Sequence, residues 1–184
     1  MIQLFTDRLI IRDYVAEDLD NHHKLLSDNT VMYYLQDIKS NSIEDSRENL
    51  MIILNDQKSN DRKRYHFVIE KTAGNEFIGG IGYTVSDNTA YGKLVHMGYF
   101  IMSNHWNKGY TTEALKKVME FAFLENNVYR IHTGCIKDNL YSEKIMQKCG
   151  FIKEADFKEY VYHDGKFKNR VEYRLLKKEW KKQA

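Results

Sequence analysis

Three apolar-rich runs follow one another with no helical pattern between them: YHFVIEK at 65–71, FIGGIGYTV at 77–85 and KLVHMGYFIM at 93–102. Each is rich in β-branched and aromatic residues, and the turn-forming stretches AGNE and SDNTAYG separate them. Parallel neighbours would need a crossover of about a dozen residues or more. These connections are too short, so the runs predict an antiparallel meander. That one feature excludes a doubly wound parallel sheet and points to a mixed α+β chain with helices before and after the meander.

The flanking pattern fills in the order. LIIRDY near the start predicts a strand, and DLDNHHKLLSD after it carries Leu19, Leu25 and Leu26 at helical spacing. SIEDSRENLMIILNDQ opens with Ser42 and Asp45 in the manner of a capping box and places Leu50, Ile53 and Leu54 on one face. After the meander, TTEALKKVMEFAFLEN sets a broad apolar stripe of Ala114, Leu115, Val118, Met119, Phe121 and Ala122 opposite Lys116, Lys117 and Glu120. YRIHTGCI predicts a strand, NLYSEKIMQKCG a short helix closed by Gly150, and EYVYHDGKFKNRVEYRLL a hairpin around HDGK. No repeat or linker interrupts the 184 residues, so a single domain over 1–184 is expected.

Twenty-eight basic and 26 acidic residues are interspersed and leave a net charge of +2, which gives no electrostatic reason to expect nucleic acid. The opening MIQLFTDRLIIRDY has no signal-peptide pattern and no run is long enough to span a bilayer, so a cytoplasmic protein off the membrane is expected. Cys135 and Cys149 read as buried thiols, and no HExxH or CxxC spacing predicts a metal.

Between the third meander run and the next helix lies HWNKGYTTEAL, residues 105–115. A strand, a short loop and a helix opening near a glycine present free backbone N–H groups to an anion, with the helix dipole adding partial positive charge. Gly109 allows close approach, while Lys108, Thr111 and Thr112 carry donors. The stretch is neither a GxxxxGK[ST] loop nor a GxGxxG fingerprint. The plainer reading is that Gly109 permits a tight turn and that Thr111 or Thr112 caps the helix.

The run Trp106, Asn107, Lys108, Gly109, Tyr110, Thr111, Thr112, Glu113, Ala114 resembles the phosphate loop of the GNAT superfamily of acyl-CoA N-acyltransferases. The likeness is to its branch of ribosomal-protein N-terminal alanine acetyltransferases, with Thr111 where a small residue is usual. Two further motifs agree: Asn139, Ser142, Lys148, Gly150 and Phe151 match N-x-x-S-x-x-x-x-x-K-x-G-F, and Thr6, Arg8, Leu9 and Arg12 match T-x-R-L-x-x-R. The resemblance implies a GNAT-like fold: a twisted, mostly antiparallel mixed sheet of about seven strands, flanked by about four helices. It implies a splay between the fourth and fifth strands, here KLVHMGYFIM and YRIHTGCI.

It further implies acetyl-CoA as co-substrate. The backbone of Phe100, Ile101 and Met102 would pair with the pantetheine arm and polarise the thioester carbonyl. Asn107 to Thr112 would hold the pyrophosphate, and Asn139 would orient the cofactor amides or cap the serine helix. Met146 stands where many relatives place an acidic tyrosine, which leaves Ser142 as the expected proton donor to the departing thiolate, against the plainer reading of a hydroxyl bonding its own backbone. His96 replaces a common glutamate and is the expected base, or else a half-buried strand histidine. Tyr33, Tyr34, Asp37, Glu159 and Tyr160 would line the acceptor side or form ordinary surface. The expected activity is acetyl transfer to a primary amine, either a protein N-terminus or a small molecule such as a polyamine or antibiotic, by a monomer or homodimer. A non-catalytic CoA-binding module is the rival.

Overall fold

A computed structural model describes residues 1–181. Its strands are β1 (Gln3–Phe5), β2 (Leu9–Asp13), β3 (Arg64–Lys71), β4 (Phe77–Thr89), β5 (Gly92–Ile101), β6 (Val128–Ile136), β7 (Ile152–His163) and β8 (Lys166–Leu176). The helices are α1 (Leu19–Ser27), α2 (Ile43–Gln57), α3 (Tyr110–Leu124), α4 (Leu140–Lys148) and α5 (Lys177–Trp180). One sheet runs in the order β1-β2-β3-β4-β5-β6-β8-β7. The meander forms as expected, with β3 antiparallel to β4 and β4 turning into β5 over two residues. β5 and β6 pair in parallel, and their ladder covers Lys93–His96 against Val128–His132 while β5 itself runs on to Ile101. The architecture is the mostly antiparallel mixed sheet with flanking helices that the sequence implied, with one strand and one helix more among the described residues: the three-residue β1 and the four-residue α5.

The chain clusters into two compact units. The first comprises residues 1–84 and 98–118. Here α2 starts as its sequence predicts: Ser42 Oγ accepts the Asp45 N–H at 3.1 Å, and Asp45 Oδ2 accepts the Ser42 N–H at 3.0 Å. Losing such a cap costs about 1 kcal/mol. Leu50 and Ile53 of α2 pack with Tyr14 and Val68. Arg12 of β2 is bidentate to Asp18, at 2.8 Å on both nitrogens, and also bonds Glu70 of β3. Those hydrogen bonds hold its pKa above the ordinary range despite the opposing effect of burial.

The second unit comprises residues 85–97 and Met119 onward. β6, β8 and β7 pair antiparallel in that order, joined at the far end by the Asp164–Gly165 turn with φ of 50° and 75°. Val171, Tyr173 and Leu175 point alternately from β8 into the core, as period 2 requires. α4 ends on Gly150 at φ 80°, whose N–H bonds Gln147 while Phe151 N–H bonds the Met146 carbonyl, the expected glycine cap. β7 begins seven residues before the hairpin arm the sequence indicated, Ile152 rather than Glu159. Register shifts between Lys153 and Ala155 and between Phe157 and Val161 break its alternation.

Candidate active site

In the first unit, the end of β5 leads into one 3-10 turn, Ser103–His105, and then the Trp106–Gly109 loop. The loop is built by its own bonds. Trp106 Nε1 donates to the Ile101 carbonyl at 2.7 Å, and Lys108 Nζ donates to the Asn104 carbonyl at 2.8 Å. The Lys108 ammonium is therefore engaged by the loop itself. Asn107 and Gly109 both adopt left-handed φ, 60° and 80°. The helix opens at Tyr110, so Thr111 and Thr112 lie inside its first turn and neither is the N-cap. The first ladder bond runs from Glu113 N–H to the Gly109 carbonyl at 3.1 Å, which leaves the N–H groups of Gly109, Tyr110 and Thr111 outside the ladder. These residues fit a diphosphate: left-handed backbone, amides ahead of the ladder and a 15-residue helix behind them.

Of the three residues expected to meet the pantetheine arm, Met102, just past the end of β5, commits its N–H to the Ile78 carbonyl at 2.9 Å. That narrows the backbone donors to Phe100 and Ile101. Successive residues of a strand direct their N–H groups to opposite edges, so the Ile101 N–H points away from β4. Phe100 and Met102 also pack on a cluster of Leu25, Leu26 and Met32, together with Val31 and Leu35. This places the turn segment carrying Tyr33 and Tyr34, whose rings meet edge-on at 4.8 Å, beside the end of β5. Asp37 is exposed on the same segment.

In the second unit, Asn139 caps α4 by accepting the Ser142 N–H at 3.2 Å, so its capping role is structural fact. Ser142 is half-buried and its hydroxyl bonds the Cys135 sulfur. Burial pushes the Cys135 thiol up to about 11 against that bond, so it stays a neutral thiol near pH 7. Cys135 and Cys149 are both free and buried. Met146 is fully buried.

His96 is exposed on β5, and the parallel register sets it opposite His132, with ring centroids 5.0 Å apart. Burial lowers the His132 pKa, partly opposed by Glu172. His132 helps line a depression of about 450 Å³ with Arg130, Glu154, Phe157, Glu172 and Tyr173. Its charges are paired: Arg130 with Glu154, and Arg170 Nε with Glu172 Oε1 at 2.5 Å. Sequence reasoning missed His132 and Glu172. The period-2 spacing of Arg130, His132 and Gly134 was a legible signal of a shared strand face. Glu159 sits at φ 48° within a bulge, its N–H bonded to Asn169 Oδ1 at 2.9 Å, and Tyr160 is 60% exposed with its ring stacked on Phe157 at 4.8 Å. Among the described residues no group of three or more His, Cys, Asp or Glu side chains is placed to hold a metal, and no helix is long and apolar enough to cross a membrane.

A meander, a parallel β5–β6 pair and an amide-lined loop before α3 define the acetyltransferase class to which the sequence motifs pointed. The chain belongs to the GNAT acetyltransferase domain family, whose pattern matches residues 8–152. It is an N-acetyltransferase, as its relatives are named. An uncharacterized N-acetyltransferase of Bacillus licheniformis is 27% identical over 180 residues, covering 98% of this chain and 99% of the relative. The fold is shared with ribosomal-protein-S5-alanine acetyltransferase from Vibrio fischeri (TM-score 0.82, 19% identity, 98% and 99% covered). It is also shared with spermidine N-acetyltransferase from Vibrio cholerae, solved with CoA and spermine (TM-score 0.82, 19% identity, 95% and 99% covered).

Proposed function

We propose that the whole chain acts as one cytoplasmic domain that moves an acetyl group from acetyl-CoA to a primary amine, by direct attack in a ternary complex. The observation that carries the co-substrate is the loop: left-handed Gly109 and three amides ahead of the α3 ladder suit a diphosphate. The amine lone pair attacks the thioester carbonyl, whose oxygen takes a hydrogen bond from the Ile101 N–H. As the C–S bond breaks, the thiolate takes the Ser142 proton, the amine's proton passes to His96, and His96 then returns a proton through solvent to the Ser142 oxygen, so both groups end as they began.

Imidazole, with a free pKa of about 6.5, is a weak base. It suits an α-amino group, which loses its proton near 8, better than a polyamine or lysine amine near 10. We therefore place a peptide N-terminus ahead of spermidine as the acceptor, with Tyr33, Tyr34, Asp37, Glu159 and Tyr160 as its candidate contacts. Free-thiol release from acetyl-CoA against short peptides, spermidine and aminoglycosides tests this. Peptide-dependent release is expected, while release with spermidine alone would reverse the preference. Ser142→Ala should lower turnover about a hundredfold, in the range typical of a lost general acid, with CoA affinity within about twofold by calorimetry. Tight CoA binding with no release for any acceptor would restore the non-catalytic reading.

A further inference from the structure

Two of the sequence motifs converge on one ion cluster. Glu113, in the first turn of α3, accepts Thr6 Oγ1 at 2.6 Å and the Arg8 N–H at 3.2 Å on Oε1, while its Oε2 accepts Arg8 Nε at 2.7 Å and lies 2.5 Å from Arg8 Nη2. Burial alone would raise the Glu113 pKa, but the Thr6 and Arg8 hydrogen bonds and the Arg8 charge hold it below the ordinary carboxylate range. It is therefore ionised at neutral pH. The same guanidinium then reaches the loop: Nη1 donates to the Lys108 carbonyl at 3.1 Å, and the Arg8 carbon centre lies 4.7 Å from the Tyr110 ring centroid. A side chain on Gly109 would meet Arg8 Nη2 at 3.4 Å.

A trans peptide holds its C=O and its N–H pointing in opposite directions within one rigid plane. Holding the Lys108 carbonyl toward Arg8 therefore turns the Gly109 N–H to the opposite side. That plane joins Lys108 to left-handed Gly109, and glycine's freedom at φ would otherwise let it rotate. The fork geometry matters, because a guanidinium can serve a carboxylate and a carbonyl at once and a lysine ammonium on a flexible stem cannot do so in the same way.

We infer that Arg8, locked by Glu113 and Thr6, is a positioning residue that fixes the Lys108–Gly109 peptide plane, so that the Gly109 N–H is aimed at the diphosphate of the acyl donor. This rests on the reading of the loop as the CoA diphosphate site. Arg8 touches the loop backbone and sets a donor's direction; it does no chemistry.

The test is calorimetry of wild type, Arg8→Ala and Arg8→Lys with coenzyme A and with 3′-dephospho-coenzyme A, and thiol release from S-acetylpantetheine, which has no phosphate. Both variants should bind coenzyme A about tenfold more weakly, and 3′-dephospho-coenzyme A by the same factor, while kcat/KM for S-acetylpantetheine falls far less than that for acetyl-CoA. Arg8→Lys keeps a charge beside Glu113 and should retain the wild-type melting temperature, so the result stands even where Arg8→Ala folds poorly. Equal losses with and without the diphosphate would mean a merely structural role and overturn the inference. So would a loss confined to coenzyme A, which would place Arg8 on the 3′-phosphate, or unchanged affinity in both variants. Failure of the loop reading itself would show separately, as wild-type protein that does not bind coenzyme A.

Discussion

The Asn107–Thr112 loop and the β6–β8 face around His132 differ in how their backbones are held. The loop is fixed through backbone atoms: the carbonyls of Ile101, Asn104 and Lys108 each accept a side-chain donor, from Trp106, Lys108 and Arg8. The β6–β8 face is furnished by side-chain ion pairs laid over a regular ladder, Arg130 with Glu154 and Arg170 with Glu172. A site that binds an invariant group such as a diphosphate gains from fixed amides. Long paired side chains can rearrange for an occupant at little cost, since exposed ion pairs contribute under about 1 kcal/mol.

Substitutions at glycines put this contrast under the greatest strain. At Gly79, in the unit that holds the loop, an added Cβ would lie 2.3 Å from the Phe100 carbonyl oxygen and 2.8 Å from Ile101 Cα. Both are backbone atoms that must move, so Gly79→Ala should cost about 3 kcal/mol in urea unfolding and shift the β5 amides with it. A cost under about 1 kcal/mol would show β5 to be more yielding than described.

Acid should act next. Burial, then the charge of Arg64 and less strongly that of Arg62, hold His66 down to about 4, while the unfolded chain protonates near 6.5. The unfolded state therefore binds the proton first as pH falls. The stability from this group is complete above about pH 6.5 and is lost on the way to pH 4, about 2 kcal/mol in all with His66 only partly covered. Urea midpoints at pH 7.5 and 4.5 should show the drop, and His66→Gln should flatten it.

Gly109→Ala forces a side chain into φ 80°, a strain of about 1–2 kcal/mol, and should weaken CoA binding by up to about tenfold. Smallest of all is Gly134→Ala. Its Cβ would meet the Glu172 carboxylate at 2.5 Å, yet that is the end of a flexible side chain, so the melting free energy should change by less than about 0.5 kcal/mol. A large loss there would mean that the β6–β8 face is as rigid as the loop.

The elements that could be read from sequence are those whose cause is local. The meander, α3, the Ser42 cap and the Gly150 stop each follow from residues within a few positions of one another. β1 could not be read, because three residues carry no periodicity and it exists through pairing with Ile10–Arg12. β7 was read short because two register shifts scramble its alternation. The same division runs through the candidate site. Gly109 and its helix are visible in eleven residues, whereas the Arg8–Glu113 bond joins positions 105 apart and His96 meets His132 only through parallel register. Ser142 stood out as a motif serine, but its hydrogen bond to Cys135 emerges only when α4 folds back after β6.

β7 closes one end of the strand order, and its bulge has a consequence for the protein in concentrated solution. An edge strand with regular spacing is a template on which other chains can add, growing fibrils or amorphous precipitate. Left-handed Glu159 breaks that template midway, and Lys153, Glu154, Lys158 and Glu159 interleave charge among the exposed rings of Phe157, Tyr160 and Tyr162. The irregularity that hid β7 from the sequence thus guards solubility along a margin crowded with aromatic surface.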